Sequence, residues 1–297
     1  MKIDFYVKSD IGLVRKQNED SYSFSEMLNL FIVADGMGGY ENGKEASKVV
    51  VETLRNYIEE KCFTSQSINE DTVRESVSMA NGAIQKRATE LQKDGNKVKM
   101  GSTMVLLAVK PSKCFLSNIG DSRIYLLRNN ELIQKTKDHS LLQESTDHNI
   151  NISEFSGSIK NVITRAVGVS KSVTPDFYSF VPKEKDIFLL CSDGLHALVS
   201  DHEIEKILVS SLSLEDGTDR LIEKAKEKGG NDNITICLVK IKELPKQKPE
   251  SATVSLEKPN ISEIKPKFTS QDWVIIIFII LFLVLISSFY YMMIFKI

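Results

Sequence analysis

The chain has 297 residues, 42% of them hydrophobic and 26% charged, with a formal net charge of -2. That length allows one large domain or two small ones, and the near-neutral balance argues against the basic footprint of a nucleic-acid binder. The four cysteines, Cys62, Cys114, Cys191 and Cys237, are scattered, with neither metal-ligand spacing nor a disulfide framework, and read as buried thiols in a reducing compartment.

In chain order, β-type runs are predicted at residues 2–8 and 30–34. Two amphipathic helices follow near 44–60 and 70–93, where apolar residues return every three or four positions. Further β-type runs lie at 103–109, 114–119, 124–127 and 187–191. Shorter helical patterns at 201–209 and 218–228 precede a last strand at 234–241. Strands mostly follow strands through short turns such as Arg128-Asn129-Asn130-Glu131. Antiparallel sheets with helices packed outside them, an α+β layered fold, are therefore expected over residues 1–242.

Beyond that domain the composition shifts. Residues 243–271 are rich in Pro, Lys, Glu, Ser and Thr and hold four of the seven prolines, the pattern of a flexible tether. From Trp273 to Phe295 no charge interrupts an apolar run. As a helix those roughly 23 residues span ~34 Å, enough for a hydrocarbon core of ~30 Å. Trp273 at one end and Tyr290 and Tyr291 near the other suit the two interfaces. Residues 272–297 are expected to form a transmembrane helix with a short tail. The opening Met1-Lys2-Ile3-Asp4 lacks a signal-peptide layout. The expected arrangement is a single-pass, C-terminally anchored membrane protein with its folded domain in the cytoplasm.

The acidic residues carry the functional signal. Asp35 closes the run Leu-Phe-Ile-Val-Ala and is followed by Gly36; Asp193 closes Ile-Phe-Leu-Leu-Cys-Ser and is followed by Gly194. Asp121 follows a strand-like run through Gly120, and Asp232 opens the last one. Any one of these is most simply a turn. Gathered at one sheet edge, they would be uncompensated carboxylates, costly unless cations sit among them. Oxygen donors without a His/Cys cluster suit Mg²⁺ or Mn²⁺ rather than Zn²⁺. Arg15, just before Glu19 and Asp20, is either a surface ion-pair partner or a phosphate clamp.

The ordered set Arg15-x-x-Asn18-Glu19-Asp20, Asp35-Gly36-Met37-Gly38-Gly39, Gly43-x-x-Ala46-Ser47, Gly101-Ser102-Thr103, Gly120-Asp121-Ser122-Arg123, Asp138-His139-Ser140, Ile163-Thr164-Arg165-Ala166-Val167-Gly168, Ser192-Asp193-Gly194 and Asp232-Asn233-Ile234-Thr235 resembles the bacterial branch of the metal-dependent PPM-type (2C) serine/threonine phosphatases. The resemblance covers roughly residues 5–241. It implies a central antiparallel β-sandwich flanked by helices, an αββα architecture, with a binuclear Mn²⁺ or Mg²⁺ centre. Asp35 then bridges the two metals, Gly36 lends its carbonyl, and Asp193 and Asp232 complete the first shell. Glu19 and Asp20 hold metal-bound waters, Asp121 with Asp193 serves a third, weaker metal, and Arg15 binds phosphate. Residues 141–160 fall where the family has a flap.

The implied reaction is attack of metal-activated water on phosphoserine or phosphothreonine of proteins that a kinase has modified. Met37 stands where many eukaryotic relatives carry a histidine, which leaves the proton donor to a metal-bound water; His139 and His196 are expected to be structural. The alternative reading is a catalytically silent domain of the same fold that binds a phosphorylated partner at the membrane. A nuclease or phosphodiesterase would fit the carboxylates alone, but it needs a basic surface that this composition does not supply.

Overall fold

The computed structural model describes residues 1–39, 41–65, 68–92, 98–147 and 162–245. Met1–Lys246 group as one compact unit. The expected span at 273–295 and most of the expected tether lie outside the described residues; among those described, no helix is long and apolar enough to cross a membrane.

Two antiparallel sheets form the centre. The first joins β1 (Lys2–Asp10), β11 (Ile234–Glu243), β10 (Ile187–Cys191), β7 (Arg123–Arg128) and β8 (Glu131–Gln134) in that spatial order. The second orders β2 (Asp20–Ser25), β3 (Leu30–Met37), β5 (Met104–Lys110), β6 (Lys113–Ile119) and β9 (Asp176–Phe180), with the short β4 (Gly101–Ser102) pairing with the end of β3. Strand alternation explains why they stack. Phe31 and Val33 of β3 turn to the interior between the sheets, where Ile124, Leu126, Phe188 and Leu190 meet them. Leu30, Ile32 and Ala34 of the same strand face the other way, onto helices α1 (Glu41–Ser65) and α2 (Glu70–Glu90). Buried on both faces, β3 reads as an unbroken apolar run.

The outer face of the first sheet is covered in the same way. Leu189, Ile236 and Leu238 pack against α4 (Asp193–His196), α5 (Asp201–Ser210) and α6 (Leu214–Glu227) through Leu195, Ile204 and Leu221. A helix layer, two sheets and a second helix layer result, the architecture the resemblance implies.

Several elements escape the periodicity argument. In β2, Ser23 and Ser25 lie beside Ile32 and Leu30 on the helix face, while Tyr22 and Phe24 share the inter-sheet face with Val33 and Phe31 but stay partly exposed at the sandwich's edge, with Phe24 against Phe5 at 4.8 Å between ring centroids. With only two apolar residues on one face and serines on the other, β2 carries too short an apolar pattern to be read as a strand. The brief β8 and β9 and the helix α3 (Leu141–Asp147) were too short to carry a period. α3 occupies the start of the expected flap, and residues 148–161 lie outside the described ones. The helices also begin earlier than expected, α1 at Glu41 and α6 at Leu214, where Ser213 caps the latter by accepting from the Asp216 N–H at 3.0 Å.

Candidate active site

All the flagged acidic residues sit at one end of the sandwich, because each closes or opens a strand at that end. Asp20 opens β2 directly opposite Asp35 of β3 in the strand register. Asp121 lies in the turn from β6 to β7, Asp193 follows β10 and Asp232 precedes β11. Close backbone approach is built in by two glycines. A Cβ on Gly36 would strike the Gly43 carbonyl, and one on Gly43 would strike the Glu19 carboxylate, so the first turn of α1 lies directly against the Asp35-Gly36 edge.

Hydroxyl and amide side chains fix the backbone around the carboxylates. Thr103 Oγ1 accepts from the Asp35 N–H at 2.9 Å and Ser102 Oγ donates to its carbonyl at 2.9 Å. Asn233 ties the Arg15 segment to the start of β11: its Oδ1 accepts from the Glu19 N–H at 2.8 Å, and its Nδ2 donates to the Ile11 and Gln17 carbonyls. Asp20 Oδ2 accepts hydroxyl hydrogen bonds from Ser192 and Thr235, each at 2.7 Å.

The electrostatics are those of an anion cluster short of cations. Burial and then repulsion by Asp20, Asp193, Asp121 and Asp232 raise the Asp35 carboxyl well above the usual range. Burial likewise pushes Asp20 and Asp121 up to about 7; two hydroxyl bonds oppose the shift at Asp20, and Asp193 adds to it at both. Asp193 is raised by burial and by Asp232, although Asp35 donates a hydrogen bond to it. One oxygen each of Asp20, Asp121 and Asp193 is buried with no hydrogen-bond partner. Among the described residues Arg15 reaches the cluster's rim, its Nη2 meeting Asp232 Oδ2 at 2.6 Å with both side chains partly exposed, while Arg123 acts on Asp121 through its charge.

These features fit divalent cations. Orphaned, desolvated carboxylate oxygens are costly in a folded protein unless a positive charge meets them, and an all-oxygen donor set suits Mn²⁺ or Mg²⁺. Among the described residues no three His, Cys, Asp or Glu side chains already converge on one coordination point. Asp193 instead hydrogen-bonds Asp35, and Asp232 turns to Arg15.

His139 and His196 are braces for the Asp121 turn. His139 Nδ1 accepts from the Gly120 N–H at 3.2 Å while Nε2 meets Asp176 at 3.1 Å. His196 Nε2 donates to the Asp121 carbonyl at 2.9 Å; burial and the nearby Arg123 push its pKa down to about 3, so it stays neutral. Sequence reasoning identified the motifs holding Ser192, Asn233 and Thr235 but not their bonds, and it missed the His196 contact, for which the sequence carries no signal beyond an apolar context. The four thiols are buried, and burial pushes Cys114 and Cys237 up to about 12, leaving no thiolate nucleophile.

The profile of the family described as protein phosphatase 2C matches residues 15–235. The chain belongs to the protein phosphatase 2C family. Among relatives of the family, the serine/threonine phosphatase stp of Listeria welshimeri is 38% identical over 240 residues, covering 78% of this chain and 93% of its own. The protein phosphatase PhpP of Streptococcus pneumoniae is 34% identical over 79% of this chain and 96% of its own. The fold agrees with the Mycobacterium tuberculosis serine/threonine phosphatase PstP/Ppp at a TM-score of 0.72 and 32% identity, over 81% of this chain and 99% of that one. The catalytic domain of PstP, solved in complex with two manganese ions, gives a TM-score of 0.69 at 31% identity, over 81% and 99% of the respective chains.

Proposed function

We propose that the chain removes phosphate from phosphoserine and phosphothreonine on proteins at a Mn²⁺ or Mg²⁺ centre. The observation that carries this reading is the set Asp20 and Asp121, buried, and Asp35 and Asp193, half-buried, with its raised carboxyls and three unpartnered oxygens, beside Arg15. Asp35, the Gly36 carbonyl, Asp193 and Asp232 would hold two cations, Glu19 and Asp20 would orient water around them, and Asp121 with Asp193 would serve a third. Bound divalent cations supply Lewis acidity, which ionises water near neutral pH and offsets phosphoryl charge.

The chain's own residues do the rest. Arg15 presents a planar pair of donors to the phosphoryl oxygens, and releasing Asp232 frees it to do so. The Ser192, Thr235, Asn233 and Thr103 bonds hold the carboxylates and their backbone in place before substrate arrives. Water adds to phosphorus, the ester P–O bond breaks and the serine or threonine oxygen leaves as the alcohol. Its proton does not come from residue 37, a methionine, and both nearby histidines are committed to the Asp121 turn.

Residues 273–295 support tethering of this activity to a membrane, with the catalytic domain on the cytoplasmic side and the Pro-rich residues 243–271 as the leash. Manganese-dependent release of p-nitrophenol from its phosphate ester, and of phosphate from a phosphothreonine peptide, tests the chemistry; a metal-loaded protein inert to both would sink it. Deleting residues 271–297 should move the activity from the membrane pellet to the supernatant, and continued sedimentation would refute the C-terminal anchor.

A further inference from the structure

An open cleft of about 810 Å³ lies beside the carboxylate cluster, between the segment after Arg15 and the first turns of α1. Lys16, Gln17 and Asn18 form one wall, with Asn18 adjoining Glu19; Lys44, Lys48 and Glu52, spaced four apart on α1, form the other. The half-buried Val49 adds an apolar contact. Lys44 to Glu52 spans ~12 Å of helix, the length of three to four residues of extended chain at ~3.3 Å each.

The charges of this cleft are unevenly paired. Glu45 is engaged by the Arg87 guanidinium, and Lys48 stands 3.9 Å from Glu52. Lys16 and Lys44 are exposed, lie on opposite walls and have no partner among the described residues. Lys16 and Lys44 thus sit toward the part of the cleft that adjoins the cluster, Lys16 next to Arg15 and Lys44 next to Gly43, which packs on the Glu19 carboxylate, while Glu52 lies about two turns further along α1. Lys16 is also the immediate neighbour of Arg15, so a chain whose phosphate meets Arg15 passes these lysines first.

We infer that this cleft receives the substrate chain beside the phosphorylated residue, and that Lys16 and Lys44 select phosphopeptides with Asp or Glu close to that residue. The inference rests on the phosphatase reading and adds to it a substrate class. Exposed charge pairs are individually weak, but two acting together on a flexible peptide favour an acidic over a basic flank by about five- to tenfold in kcat/KM.

The test uses the full-length protein with manganese and two phosphothreonine peptides that differ only in carrying Glu or Lys at the positions flanking the phosphothreonine. The unsubstituted protein should favour the Glu peptide; Lys16→Glu combined with Lys44→Glu should erase or reverse that preference, and Lys16→Arg with Lys44→Arg should keep it. Turnover of p-nitrophenyl phosphate, which has no chain to enter the cleft, should be the same in all three. Equal use of both peptides by the unsubstituted protein, or an acidic preference surviving the double Glu substitution, overturns the inference. A parallel loss of p-nitrophenyl phosphate turnover in the Glu variant also overturns it, because the lysines would then act in the chemistry. Failure of the unsubstituted protein to hydrolyse either ester is a separate result that removes the phosphatase reading itself.

Discussion

Strand β10 has an aspartate near each of its ends, Asp186 buried and Asp193 half-buried, and the two are treated in opposite ways. Before it, Asp186 is 1% exposed and fully answered: Arg128 donates through Nε at 2.8 Å and Nη2 at 2.6 Å, and the Lys183 N–H adds a third bond at 2.8 Å. After it, Asp193 has an oxygen with no partner and repulsive aspartates around it. The same fold that neutralises a buried carboxylate with arginine at one end leaves several unneutralised at the other. A structural carboxylate such as Asp186 is given its counterion by the chain, whereas most of the carboxylates placed at the metal centre are left without one, Asp232 with Arg15 being the exception.

The largest expected effect breaks that comparison at the catalytic end. Asp35→Ala and Asp193→Ala should each cut manganese-dependent turnover by about a thousandfold or more, since a ligand is lost. The metal-free domain should melt no lower than the unsubstituted one, because a repulsive buried carboxyl has gone. Near-normal turnover at saturating manganese would mean that these aspartates are not ligands.

Removing the counterion at the other end should do the reverse. Arg128→Ala strands Asp186 and should cost about 2 kcal/mol in urea unfolding, below the usual figure for a fully buried pair because the arginine is partly exposed. Turnover per folded molecule should stay unchanged. A variant as stable as the parent would show that Asp186 is held by its neighbours rather than by charge.

The smallest effect sharpens the comparison through pH. Asp20 and Asp121, at about 7, lie above the ordinary carboxyl value of 3.8. Between about pH 4 and 7 the native state therefore binds more protons than the unfolded chain, and the stability of the metal-free protein falls as pH rises through that window. Manganese must displace those protons, so its stabilisation should grow over the same range. Melting curves with chelator and with manganese at pH 5 and pH 8 should diverge by several degrees more at pH 8; an equal gap at both would argue that the raised carboxyls are not where the metal binds.

Much of this protein was legible from residue order. β3, β5, β6, β10 and β11 announce themselves as apolar runs because both of their faces are buried, and α1 and α2 because only one is. The punctuating Asp-Gly pairs mark strand ends, where a carboxylate can reach the rim of a sheet. β2 stayed hidden because serines occupy its helix-facing positions and only Tyr22 and Phe24, part-exposed at the sheet's edge, mark its other face.

What the order of residues could not decide is which groups answer one another. Asn233 reaching back to Ile11, Gln17 and Glu19, Ser192 and Thr235 converging on Asp20, and His196 steadying the Asp121 carbonyl all join positions far apart in the chain. Composition and spacing determine which residues are acidic and which strands they end. Whether a given carboxylate becomes a paired strut like Asp186 or an unpaired one like Asp193 depends on desolvation and on the charges within a few ångströms, and those exist only once the sheets have stacked.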